Sequence, residues 1–189
     1  MKQAIKYITP LVVAILAIIL IEPIINQQRE LKKYDFKVNT TNGIVKKEDF
    51  KGKALAIYFG YMFCPDVCPT SLSSLAYALN GFSEEHLEGF AGIFISVDPD
   101  RDEVEKLDEY AKYFHKNFIG ATSDKANIDD ITKRYESYYQ KVYLEDSKID
   151  YSISHTSYIY IFDKNGKFVE KVDHFTNPKQ LKEVLEKVL

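Results

Sequence analysis

The two cysteines of the chain, Cys64 and Cys68, lie in the short segment GYMFCPDVCPTSL with three residues between them. Thiols at this spacing are able to form a disulfide, exchange electrons with another dithiol or bind a soft metal ion as thiolates. A disulfide with only a stabilising role is the weakest interpretation, because so small a loop removes little entropy from the unfolded chain. The pair therefore predicts a reactive dithiol or a metal site.

The residues around the cysteines favour thiolates over thiols. Pro69 disfavours helical geometry at Cys68, so the next helix is expected to begin at Pro69, in its first position. Both sulfurs would then lie in the loop ahead of a helix N-terminus, where free N–H groups and the helix dipole stabilise negative charge. Asp66 opposes this effect slightly because it carries a like charge.

Strands and helices alternate on both sides of this loop. A continuous apolar strand, Ala54–Phe59, comes before it, and the helix SLSSLAYAL follows. Next come a second buried strand, AGIFISV, and the helix EVEKLDEYAKYF, for which Asp102 is the expected N-cap. A short strand, FIGAT, and a helix over residues 128–143 come after them.

Two hairpins and a last helix complete the pattern. The first hairpin is expected to turn at the Asn-Gly pair 42–43, and the second at the Asn-Gly pair 165–166. The last helix is capped by Asn177 and has a proline in its first position. Because strands that alternate with helices indicate a sheet covered on both faces, we expect an α/β fold. The expected architecture is a thioredoxin-like central mixed sheet flanked by helices.

The N-terminus predicts a membrane anchor. Two lysines precede the unbroken hydrocarbon run Leu11–Ile21. This run has the length of a signal-peptide core, roughly 7–15 residues, but no small residues follow it for cleavage. We therefore expect an uncleaved transmembrane signal anchor (residues 1–25), a polar linker (residues 26–33) and one folded domain (residues 34–189). An N-terminal core helix is the alternative.

The charges indicate where the domain lies and which partners it lacks. Basic residues are almost equally numerous on the two sides of the anchor, but the short N-terminal tail favours export of the C-terminal part. We expect a single-pass protein of the bacterial inner membrane with its domain in the periplasm, or of the mitochondrial inner membrane with its domain in the intermembrane space. The net charge of -3 offers no basic excess for nucleic acid. The soluble part is expected to fold as a monomer without the anchor.

A family resemblance runs through four segments: FGYMFCPDVCPTSL, ISVDPDRDEVEKLDEYAKYF, GATSDKANIDDITKRY and SHTSYIYIFDKNGKFV. In these segments the chain resembles the Sco/SenC family, the membrane-anchored copper proteins that serve cytochrome c oxidase assembly. The likeness covers essentially everything after the anchor, and it implies that copper is held by Cys64, Cys68 and His155. The donor chemistry agrees, since soft thiolates select copper(I) and two thiolates with a neutral imidazole also suit copper(II).

His155 differs from the other histidines in its place at the head of the late hairpin. Thioredoxin-like topology brings this point of the chain against the cysteines. The remaining three are expected to be ordinary polar residues: His86 in a charged loop, His115 near a helix end and His174 at a strand end.

Two positions depart from the family pattern. Ser154 stands where members commonly have an aspartate before the histidine, so a carboxylate that orients the imidazole is missing. Met62 replaces the usual threonine. The DPDRD segment (residues 98–102) matches the family and is expected to be either a solvated turn with a helix cap or a docking or supporting element near the site.

The resemblance implies a copper chaperone that delivers copper to the binuclear copper site of a cytochrome c oxidase subunit, or prepares the cysteines of that site. The alternative is an enzyme, a thiol-disulfide oxidoreductase that acts on exported proteins through Cys64 and Cys68. Thioredoxin relatives rely on CxxC and a facing cis-proline, whereas this chain has CxxxC and no proline from Asp100 to Asn177. Zinc on the same three residues is disfavoured, because copper binds more tightly. The expected partners are the oxidase subunit and a protein that reduces the dithiol.

Overall fold

The structure is a computed structural model in which the described residues are 2–144, 150–174 and 176–189, with side chains described from residue 17 onward. The chain separates into two compact units, Met1–Lys33 and Tyr34–Leu189.

The first unit is a single helix, α1 (Lys2–Lys33). It continues through residues 26–33, where a linker was expected. The side chains of residues 1–16, which form much of the expected anchor, lie outside the described part. Among the residues searched, which are the described ones, no helix is both long enough and apolar enough to cross a membrane.

The second unit has nine strands within its described residues: β1 (Lys37–Thr40), β2 (Gly43–Lys46), β3 (Ala54–Gly60), β4 (Phe90–Ser96), β5 (Phe118–Ala121), β6 (Tyr139–Tyr143), β7 (Tyr151–His155), β8 (Tyr158–Phe162) and β9 (Phe168–Asp173). Its α-helices are α2 (Val67–Leu79), α3 (Glu84–Glu88), α4 (Val104–Phe114), α5 (Lys125–Tyr135) and α6 (Pro178–Leu185). A 3-10 helix, Lys47–Phe50, follows β2.

Five strands form the central sheet, in the order β5-β4-β3-β8-β9. Strands β3, β4 and β5 are parallel, and β8 and β9 join them antiparallel. Every residue of β3 and β4 is buried, so both faces of the sheet are covered there. The mixed sheet with flanking helices confirms the thioredoxin-like α/β fold, and the carboxyl end of its central strand β3 leads directly to the cysteines.

Both predicted hairpins form, with small shifts. The loop Thr41–Asn42 joins β1 to β2, one position earlier than predicted, because Thr40 pairs with Gly43 across it. Between β8 and β9 the predicted two-residue turn is a longer loop over residues 163–167, in which Gly166 has φ +76°.

The helix predicted over residues 128–143 was wrong in its second half. Helix α5 ends at Tyr135, and Glu136 after it adopts a left-handed conformation with φ 57°. Strand β6 follows, because its backbone pairs antiparallel with β7 in a separate two-stranded sheet, the β6–β7 ribbon. The last residue of this ribbon is His155, so the correction bears directly on the site.

Candidate metal site

Cys64 lies in the cysteine loop, Tyr61–Asp66, between β3 and α2, whereas Cys68 is the second residue of α2. The prediction that this helix begins at Pro69 was wrong, since it begins at Val67. A proline is tolerated in a first turn because the N–H groups there have no carbonyl partner within the helix. The N–H of Cys68 donates instead to the sulfur of Cys64, 3.5 Å away.

Gly60, the last residue of β3, makes room for the second sulfur. A Cβ atom built at this position would lie 2.7 Å from the Sγ of Cys68 and 2.8 Å from a ring carbon of Phe94. Cys68 itself is completely buried. A residue without a side chain is therefore needed at the end of β3, because the Sγ of Cys68 packs against the backbone there.

His155 completes a cluster with the two cysteines. Its Nε2 lies 3.4 Å from the Sγ of Cys68, and one nitrogen of His155 and the two sulfurs all lie within 4.8 Å of one another. Two tyrosine rings stand edge-on to the imidazole: Tyr58 at 6.3 Å and Tyr61 at 5.8 Å between ring centroids. The ring is half-buried, and these aromatic contacts restrict its orientation.

One hydrogen bond selects the tautomer of His155. Its Nδ1 lies 3.0 Å from the backbone carbonyl oxygen of Thr156. Because a carbonyl only accepts, Nδ1 carries the proton and donates, and the neutral ring keeps a free lone pair on Nε2. That lone pair faces Cys68, which is the arrangement that a metal-binding imidazole requires.

Ser154 is exposed, in contrast to the inward-facing residues on either side of it. Side chains alternate between the two faces of a strand, so position 154 points away from the side on which His155 meets the sulfurs. In this chain the Thr156 carbonyl orients the imidazole, so this role does not require a carboxylate at position 154.

The two cysteines have opposite acidities. A hydrogen bond from the Cys68 thiol lowers the pKa of Cys64, while burial opposes this effect. Burial, followed by the neighbouring Cys64 sulfur, raises the pKa of Cys68. In the metal-free protein the pair is therefore a Cys64 thiolate that accepts from a Cys68 thiol.

The turn after β4 supports the cysteine loop. Asp102 was predicted to cap α4, but the cap is Glu103. Asp102 is buried instead, and its Oδ2 accepts from the backbone N–H of Met62 at 3.0 Å and from the hydroxyl of Ser96 at 2.5 Å. Burial raises the pKa of this carboxyl.

The same turn contacts the β6–β7 ribbon. Asp98 is completely buried, and its carboxylate accepts from the Tyr151 hydroxyl at 2.8 Å and from Nε of Arg101 at 2.5 Å. The sequence left two alternatives open for these residues, a solvated turn with a helix cap or a docking or supporting element near the site, and it did not predict their contacts. The available signal was a run of charged residues, DPDRD, directly after a buried parallel strand, where functional loops gather.

The remaining histidines lie outside the cluster. His86 bonds to the hydroxyl of Ser83, and Nδ1 of His115 accepts from the backbone N–H of Asn117. Within the described ranges, the three residues Cys64, Cys68 and His155 are the one group of His, Cys, Asp or Glu side chains with the spacing of a metal site.

The donor set fits a soft or borderline metal ion. Two sulfurs and an imidazole nitrogen suit copper(I), copper(II) and zinc, and they are poor ligands for magnesium or calcium, which require oxygen. The ligand atoms are already close together before any ion binds.

Comparison with known proteins gives one consistent family. A family model described as SCO1/SenC matches residues 25–189. An SCO2-like protein of Rickettsia conorii is 35% identical over 152 residues, which cover 80% of this chain and 74% of that protein.

Solved structures agree with the sequence comparison. Copper-bound ScoI of Arabidopsis thaliana has a TM-score of 0.74 and 33% identity, covering 81% of this chain and 94% of that one. Copper-bound ScoI of Bradyrhizobium japonicum has a TM-score of 0.72 and 35% identity, covering 82% and 98%.

Proposed function

Because the chain belongs to the SCO1/SenC family, we propose that it is a copper carrier, with Cys64, Cys68 and His155 as the ligands. The observation that supports this most strongly is the convergence of two sulfurs and an imidazole nitrogen within 4.8 Å. Copper is the cargo of such a protein. Its recipient is the binuclear copper site in a subunit of cytochrome c oxidase.

The three ligand residues have separate tasks in loading. Cys64 offers a thiolate at neutral pH, because its pKa is lowered by the hydrogen bond from Cys68. Cys68 releases its proton when the metal replaces it, since thiolates and not thiols are the ligand form. His155 offers the lone pair of Nε2, because its Nδ1–H donates to the Thr156 carbonyl.

A dithiol reductant is the second candidate function. It is favoured by the contact between the Cys68 N–H and the Cys64 sulfur at the helix N-terminus, which is typical of an attacking thiolate. In that reaction Cys64 attacks a substrate disulfide and releases one substrate thiolate. Cys68 then loses its proton, attacks the mixed disulfide and releases the second thiolate. The protein is left with a Cys64–Cys68 disulfide, which another thiol protein reduces.

The N-terminal residues support a proposal for the location of the protein. We propose a single-pass anchor at residues 1–25, a connecting segment at 26–33 and a monomeric copper-binding domain at 34–189. The domain would face the bacterial periplasm or the mitochondrial intermembrane space. This part of the proposal is supported by the apolar run Leu11–Ile21 and the lysines before it.

The carrier function is tested by comparing the reduced and oxidised forms of the purified chain. Reduced protein is expected to bind one copper(I) ion under anaerobic conditions. Protein whose Cys64–Cys68 disulfide has been verified by mass is expected to bind none, and to regain binding on reduction. Undiminished copper affinity in the disulfide form would place the metal site elsewhere in the chain.

A further inference from the structure

The turn Asp98–Asp102 contacts both halves of the proposed copper site. One half is the cysteine loop with the start of α2, and the other is the β6–β7 ribbon that ends in His155. These halves are far apart in sequence, since 87 positions separate Cys68 from His155. The turn lies between them in the chain and forms side-chain bonds to each.

Asp102 holds the cysteine loop. Its side chain is 3% exposed, and its Oδ2 accepts from the backbone N–H of Met62, two residues before Cys64. The same oxygen accepts from Ser96 at the end of β4. The buried carboxylate of Asp102 thus connects the backbone at Met62, 40 positions away in sequence, to the carboxyl end of β4.

Arg101 holds the ribbon. Its Nη1 donates to the backbone carbonyl of Tyr151 at 2.9 Å, and its guanidinium carbon lies 3.7 Å from the centroid of the Tyr151 ring. Its Nε donates to Asp98, which also accepts from the Tyr151 hydroxyl. Backbone, ring and hydroxyl of Tyr151 are therefore all fixed by one turn.

The position of Tyr151 on β7 affects the position of His155 on the same strand. The two residues are four apart on β7, so they lie on the same face of the strand, about 13 Å apart along it. The buried Ile153 lies between them on that face. Because a paired strand is stiff along its length, a shift or rotation at Tyr151 would move the imidazole relative to the sulfurs.

We propose that the Asp98–Asp102 turn is a clasp that sets the distance between the sulfur and nitrogen ligands, with Asp102 and Arg101 as its positioning residues. The inference rests on the proposed function. A helix-capping turn would account for the segment more simply, but no side chain caps α4. The carboxylate of Asp98 bonds across 53 positions of sequence, and Nη1 of Arg101 across 50.

The two positioning residues act on different ligands. Replacing Arg101 removes its bonds to the ribbon, while Asp102 still bonds to the backbone of the cysteine loop. The guanidinium carbon also lies 5.0 Å from the ring centroid of Phe63 in that loop, but among the described residues it forms no hydrogen bond there, so we expect the nitrogen ligand to be affected more than the two sulfurs. Copper(II), which favours nitrogen alongside sulfur, should be weakened far more than copper(I). An Arg101→Lys variant is suitable, because a lysine keeps the charge but is unable to donate to Asp98 and Tyr151 in the same planar geometry.

The test uses the full chain, first without metal. In reduced wild-type protein, NMR should show contacts between the imidazole of His155 and the ring of Tyr61, whose centroids are 5.8 Å apart. Arg101→Lys should lose them. With copper(II) added, the variant should bind about tenfold more weakly or worse, because ordering the displaced imidazole next to the sulfurs costs binding free energy. Its sulfur-to-copper absorption should shift, while copper(I) affinity stays within about threefold.

Arg134→Lys is the matched control. Arg134 forms the same kind of pair on α5, with Nε donating to Asp130 and Nη1 donating to the carbonyl of Asp35. It should change neither the imidazole contacts nor the copper(II) spectrum. If Arg101→Lys does not fold, Tyr151→Phe, which removes only the hydroxyl bond to Asp98, should show the same shift in smaller measure.

Two results would overturn the clasp. One is a folded Arg101→Lys protein, or Tyr151→Phe in its place, with unchanged contacts between His155 and Tyr61. The other is an equal loss in Arg134→Lys, which would indicate a general effect of stability. Since the NMR comparison needs no metal, it decides the clasp even if wild-type protein binds no copper, and that outcome would remove only the proposed function.

Discussion

The Nε2 of His155 lies 3.4 Å from the sulfur of Cys68, although 87 positions separate the two residues in sequence. Three pieces of the fold meet at this contact: the loop after β3, the first turn of α2 and the end of the β6–β7 ribbon. The local sequence of one piece does not fix the position of the other two. The site therefore exists only in the folded domain, and a change that displaces one piece should alter metal binding before it unfolds the protein.

The acidity of Cys64 predicts its reactivity. Because the Cys68 thiol donates to the Cys64 sulfur and lowers its pKa, Cys64 in reduced metal-free protein should stay reactive toward iodoacetamide well below pH 8. In Cys68→Ala this donor is gone, and the reactivity should require higher pH. The measurement is the alkylation rate from pH 5 to 9, with the modified residue identified by mass spectrometry. A wild-type rate that falls tenfold per pH unit below about pH 8.5 would show an ordinary thiol.

The same pair predicts how stability depends on pH. Between the lowered pKa of folded Cys64 and the ordinary thiol pKa of about 8.5, the unfolded chain holds more protons at Cys64, so this residue contributes stability that rises with pH. It is lost as pH falls through the folded pKa. Cys68, whose pKa is raised by burial, works oppositely above the ordinary thiol pKa. The free energy of unfolding in urea should therefore be compared for wild type and Cys64→Ser across this pH range. The difference between them should grow as pH rises, and a difference that does not change with pH would contradict this prediction.

Gly60→Ala should damage the site through simple crowding. The new methyl group would lie 2.7 Å from the Cys68 sulfur and 2.8 Å from Phe94, and overpacking of this kind costs about 1–3 kcal/mol in the free energy of unfolding. Copper(I) affinity should fall as well, because the sulfur has to move. Gly89→Ala is the control, since its nearest contact is the backbone oxygen of His86 at 3.3 Å. Equal copper affinity in both variants would show that Gly60 does not position the sulfur.

Ser154→Asp should change copper binding little. The side chain at this position is exposed and points away from the sulfurs, and the Thr156 carbonyl already orients the imidazole. An added surface carboxylate contributes about 0–1 kcal/mol, so copper(II) affinity should stay within about fivefold of wild type. A gain of a hundredfold in a copper(II) titration would mean that the carboxylate at this position supports the histidine directly.

The sequence predicted the parts of the site that depend on residue type and not those that depend on strand pairing. Apolar runs and helical spacing were enough to predict β3, α2 and the thioredoxin-like order, and the cysteine motif indicated soft-metal chemistry. The β6–β7 ribbon was not predicted. Ile128, Ile131 and Tyr135 lie at helical spacing, so the predicted helix was continued past Tyr135, whereas the residues of β6 form a strand because they pair with β7. The start of α2 was missed for a related reason: a proline is as compatible with the third helical position as with the first.

The role of the Asp98–Asp102 turn was beyond sequence reasoning for a different reason. A run of charged residues is equally typical of a solvated turn, and the burial of Asp98 and Asp102 is what distinguishes this one. A buried carboxylate needs partners. One partner of Asp98 lies 53 positions away in sequence, and one partner of Asp102 lies 40 positions away.

Copper(II) titration of wild-type protein and His155→Ala, with thiol-disulfide exchange rates measured in parallel, tests the central claim most directly. If the domain is a copper carrier, the substitution removes the nitrogen ligand that faces Cys68. Copper(II) affinity and the thiolate charge-transfer absorption should then collapse, while copper(I) on the two sulfurs should be weakened less. If the domain is instead a dithiol reductant, exchange by the Cys64 thiolate should remain almost intact. Unchanged copper(II) binding in His155→Ala would remove the histidine from the site and contradict the carrier mechanism.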